Sequence, residues 1–87
     1  MTKGTAATER FPGQELAIHR LCVRDARFMG ICEDYDEAIA ALHRWESAGA
    51  SRADRVEEYR EFVADLESEI ETALAAEGAR MRRQPEP

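Results

Sequence analysis

Apolar residues recur along this chain at alternating three- and four-residue spacings, the period of an α-helix with one buried stripe. The clearest run is Val56, Tyr59, Val63, Leu66, Ile70 and Ala73. Ser51 is a candidate N-cap for it, with Asp54 three positions on as an approximate capping box. Gly78 is a plausible stop, although the pattern allows the helix to continue to Met81. A second run comprises Phe28, Ile31, Tyr35, Ala38, Leu42 and Trp45. Asp25 suits its N-cap, and Ala48-Gly49 suits its end. β-branched residues never alternate over a useful length, so the pattern predicts no strand.

The short segment between the two runs makes them antiparallel neighbours. Facing residues then have numbers with a constant sum, and a sum of about 101 pairs every seam position with another. Phe28 faces Ala73, Ile31 faces Ile70 and Tyr35 faces Leu66. Ala38 faces Val63, Leu42 faces Tyr59 and Trp45 faces Val56. Both alanines oppose a larger residue, the size alternation that close packing favours. The expected fold is all-α, a long coiled-coil-like helical hairpin.

A shorter helix precedes the hairpin. Phe11-Pro12 leads into it, because proline suits a first helical turn. Leu16, Ala17, Ile18, Leu21, Cys22 and Val23 follow, and they cover most of the helix circumference. Such a helix is usually buried on more than one side. Extending the hairpin heptad backwards puts Arg24 on the seam, so a bend is expected between Arg24 and Arg27. Residues 1–10 lack apolar periodicity and read as a flexible leader without a signal peptide's apolar region. Residues 82–87 read as a flexible tail, which leaves 11–81 as a single domain.

A second, narrower stripe lies beside the seam: Cys32, Ile39, Phe62 and Leu74. The short helix is expected to cover only part of it. A core of roughly 65–70 residues is marginal on its own. The spare stripe is therefore the candidate interface of a homo-oligomer, a dimer or a tetramer of four-helix type.

Composition narrows the function classes. The 87 residues carry a net charge of −6, which disfavours nucleic-acid backbones and anionic membranes. No apolar run approaches the length of a membrane span. Two cysteines, Cys22 and Cys32, fit a reducing compartment, and the expected location is the cytoplasm.

Candidate chemistry is sparse. His19 and Cys22 share a face of the short helix and Cys32 lies one bend away, a set that could hold zinc. The pattern lacks a C-x-x-C pair and a fourth ligand, so buried thiols acting as small hydrophobes account for it as well. His43 and Glu46 reverse the order used in carboxylate-bridged bundle sites and read as a solvated face. No Gly-rich phosphate loop and no nucleophile arrangement is present, so neither catalysis nor a cofactor is expected. The last helix is acidic, with like-charge pairs such as Glu57–Glu61 and Glu61–Asp65 at i,i+4 that cost stability. Glu57, Glu61 and Asp65 therefore form a candidate docking strip for a basic partner surface. Arg80, Arg82 and Arg83 suit a helix C-terminus, with the acidic residues around Glu33, Asp34 and Asp36 as their expected neighbours.

Several of these features together resemble the YdcH-like family of small bacterial proteins. The matching residues are Phe11-Pro12, Leu16, Leu21 and Asp25-Ala26-Arg27-Phe28-Met29. They continue through Asp34-Tyr35-Asp36, Ile39, Glu46, Leu66 and Glu69, so the resemblance spans about Phe11 to Leu74. It implies a short helix followed by a helical hairpin, and no established activity. The family's last helix is lysine-rich, whereas this one is acidic.

Overall fold

The computed structural model describes residues 5–47 and 53–83. They form four helices: α1 (Thr5–Arg10), α2 (Glu15–Arg24), α3 (Ala26–Ser47) and α4 (Ala53–Arg83). Among the described residues there is no strand. The expected stop at Ala48-Gly49, the Ser51 cap and residues 84–87 lie outside the described residues.

Helices α3 and α4 form the hairpin, which makes the molecule an elongated body of 59 × 24 × 21 Å. Three cross-helix contacts give its direction. Glu46 meets Arg60, Tyr35 meets Glu67, and Arg24, just before α3, meets Glu77. One number falls as the other rises, so the helices are antiparallel. Phe28, Tyr35, Ala38, Leu42, Val63, Leu66 and Ile70 are buried, and Ile31, Val56, Tyr59 and Ala73 pack against them half-exposed. The expected seam is thus the observed core except at Trp45, which is half-exposed and lies outside the buried cluster.

Asp25 makes the bend. Its backbone is extended, and its N–H donates to the Leu21 carbonyl at 2.8 Å, closing α2. Its Oδ1 then accepts from the N–H groups of Arg27 and Phe28 at 3.0 and 3.3 Å, opening α3. One side chain thereby satisfies two of the unpaired donors that every helix start leaves.

Two expectations about the start of the chain need correction. The segment read as a flexible leader contains α1, and Ala7 on it has no exposed surface. The Ala6 N–H donates to Asp36 Oδ1 at 2.9 Å, tying α1 to α3. Arg10 reaches Glu67 at 3.2 Å, and Tyr35 Oη donates to the same carboxylate at 2.7 Å. Glu67 therefore joins α1, α3 and α4. The second correction concerns Pro12, which sits in a turn rather than in a helix. The Gln14 N–H donates to the Phe11 carbonyl at 3.1 Å, and Gly13 takes φ +86°, a conformation that favours glycine.

Helix α2 is also less enclosed than its composition suggests. Ile18 and Leu21 are buried, but Leu16 and Val23 are 69% and 74% exposed. At the far end, α4 runs past Gly78 to Arg83, so Arg82 and Arg83 extend the helix instead of starting a tail.

Candidate functional site

The second stripe divides in two. Cys32 and Leu74 belong to the core, with no and little exposed surface respectively, so they are not the interface residues expected of them. The reason is α1, which joins α2 in covering that half of the hairpin. Ile39 is half-buried and packs against the core. Phe62, nearer the Ser47 and Ala53 helix ends, is 46% exposed.

Phe62 stands as a ridge between two depressions. On one side lies a groove of about 500 Å³, whose walls include Ala38, Ala40, Ala41 and Tyr59. Asp34, Glu37 and Arg44 rim it. On the other side Phe62 borders a smaller hollow with Arg55, Glu58 and Tyr59. Three of the lining residues are alanines, whose short side chains leave space above them. The expected docking strip of Glu57, Glu61 and Asp65 is exposed along the same stretch of α4. On a helix, positions 58 and 65 are surface neighbours of 62, so Glu58 and Asp65 flank the exposed ring.

The expected metal set does not come together. His19 is exposed, Cys22 is half-buried and Cys32 is enclosed. The two thiols hydrogen-bond each other, and burial raises both above the usual thiol value, Cys32 to about 12. Burial thus works against the thiolate, the form that binds metal or attacks an electrophile. Among the described residues, no group of three or more His, Cys, Asp or Glu side chains is placed to hold a metal ion. His43 is exposed, and Glu46 pairs with Arg60 at 3.2 Å.

A different cluster occupies the open end of the hairpin. Glu77 is buried, its side chain only 1% exposed, and three arginines converge on it. Arg24 donates to Oε1 at 2.7 Å. Arg20 Nε lies 3.6 Å from Oε2, and Arg80 Nε lies 3.8 Å from Oε1. The hydrogen bond from Arg24 holds the carboxyl below its ordinary value, with the charges of Arg24, Arg80 and Arg20 adding to the effect. Among the described residues, Oε2 itself accepts no hydrogen bond. Arg80 thus turns onto Glu77, not toward the acidic residues around Glu33. The sequence signal for this cluster was the register, since Arg24 and Glu77 obey the same sum of about 101 as the apolar pairs.

No helix among the described residues is long and apolar enough to cross a membrane. Compared with known proteins, the chain matches no family model, no curated protein and no solved structure.

Proposed function

We propose that this chain is a cytoplasmic, self-associating protein–protein interaction module without catalytic activity, a helical hairpin of the YdcH-like kind. The observation that carries the reading is the uncovered half of the hairpin. Helices α1 and α2 shield Cys32, Ile70 and Leu74, while Phe62 projects, 46% exposed among the described residues, beside the alanine-lined groove. Small residues let a second helix approach closely, and an aromatic ridge gives it something to grip. Two hairpins joined on this face make a four-helix arrangement, in which each copy supplies the second layer that a thin two-helix body lacks.

Phe62→Glu tests the reading, because it puts a charge where the partner helix would pack. Sedimentation equilibrium should then show weakened association with helix content unchanged by circular dichroism. Val23→Glu, on the outer face of α2, is the control and should leave association intact. An oligomer insensitive to Phe62→Glu, or one lost with Val23→Glu, contradicts the proposed face.

A further inference from the structure

Two thiols meet between α2 and α3. Cys22 follows the buried Ile18 by four residues on α2, and Cys32 follows the buried Phe28 by four on α3, so each continues the inward side of its helix. Asp25 fixes how the helices meet. Its N–H closes α2 on the Leu21 carbonyl, and its Oδ1 opens α3 on the Arg27 and Phe28 N–H groups. The sulfurs are thereby brought into hydrogen-bond contact across the bend, and both are free thiols. Their exposure differs: Cys22 is half-buried, and Cys32 has no exposed surface. The carboxylates of Glu33 and Asp36 lie near both sulfurs. They repel an anionic oxidant such as oxidised glutathione, whereas hydrogen peroxide is small and neutral.

We infer that Cys22 and Cys32 are a peroxide-responsive pair, in which Cys22 is oxidised first and Cys32 closes a reversible intramolecular disulfide. The inference is independent of the self-association reading. The Cys22 sulfur, as thiolate, attacks one peroxide oxygen. The O–O bond breaks, and the departing hydroxide takes up the thiol proton as water, leaving a sulfenic acid. The Cys32 sulfur then attacks the Cys22 sulfur, the S–O bond breaks, and a second hydroxide leaves as water with the Cys32 proton. Two thiols and one peroxide give one disulfide and two waters, so the two electrons lost by sulfur reduce the peroxide. Exposure sets the order, since solvent reaches Cys22 and not Cys32. Burial makes the thiolate scarce at neutral pH, so the first step is slow. What the arrangement supplies is a resolving thiol already in contact, not an activated nucleophile. The bond ties α2 to the hairpin and keeps Cys22 from the irreversible sulfinic and sulfonic stages, and in a reducing compartment it is transient.

Peptide mapping tests it. Trypsin cuts after Arg20, Arg24, Arg27 and Arg44, so the two cysteines fall in separate peptides, Leu21–Arg24 and Phe28–Arg44. The folded chain is treated with dilute hydrogen peroxide, remaining thiols are alkylated, and the digest is read by mass spectrometry. The two peptides should be recovered joined, and dithiothreitol should part them. Methionines take up oxygen under the same treatment, which shifts masses without joining peptides. Cys32→Ala removes the resolving thiol, and sulfinic and sulfonic acids at Cys22 should then accumulate about fivefold or more over the original chain. Over-oxidised Cys22 beside a free Cys32 in the original chain overturns the pair. So does Leu21–Arg24 joined to a second copy of itself. Two thiols still free once the exposed Met81 is fully oxidised overturn it as well. If Cys32→Ala does not fold, the map of the original chain decides alone.

Discussion

Replacing Glu77 with glutamine removes the charge that draws Arg20, Arg24 and Arg80 together at the open end. The variant should melt at a lower temperature than the original at neutral pH. The pH dependence follows from the direction of the shift. The folded carboxyl lies below its ordinary value of 4.5, so the unfolded chain takes up the proton first as pH falls. The stabilisation is therefore complete above about 4.5 and is lost as pH falls through the folded value. Thermal melts between neutral and strongly acidic pH should show the two proteins converging at the acid end. A constant difference across that range would place the effect of Glu77 in packing instead of charge. This residue was legible in the sequence only indirectly. A glutamate on an acidic helix attracts no notice, and Arg24 on the seam looked like a break in the pattern. Only the register constant shows that one explains the other. Phe62, in contrast, was legible as a spare apolar position, because its spacing keeps it beside the seam and off it.

At the scale of the elements, the hairpin could be read because its seam repeats over many turns and each position is checked by the one opposite. Helix α1 could not. Its sequence offers only small and polar residues, and a single buried alanine, Ala7, leaves no periodic trace. Missing α1 is what made Cys32 and Leu74 look available, since half of their cover comes from a helix without an apolar stripe. Two substitutions test the element boundaries. Asp25→Ala removes the cap that opens α3 and should cost about 1 kcal/mol. Gly30 lies inside α3, where an added Cβ would meet nothing within 4 Å. Gly30→Ala should therefore stabilise the protein by about 0.5–1 kcal/mol. Urea titration reads both. A neutral Asp25→Ala would mean that the bend holds without its side chain, and a destabilising Gly30→Ala would mean that this part of α3 packs against something more.

At the scale of the whole molecule, the covering of the hairpin is uneven. Helices α1 and α2 cover one side of the half toward the open end, where Glu67 draws partners from α1 and α3, and Glu77 from α2 and its own helix. The other half, from Ala38 and Phe62 toward Ser47 and Ala53, remains a two-helix layer with an apolar groove. A second copy placed there extends the core without adding to the chain. The most direct measurement is sedimentation equilibrium of the unmodified chain over about a hundredfold range of concentration, with thermal melts on the same samples. Self-association predicts a mass that rises to twice the chain mass and a melting temperature that climbs with concentration. A single-chain mass throughout, with a melting temperature independent of concentration, would contradict it.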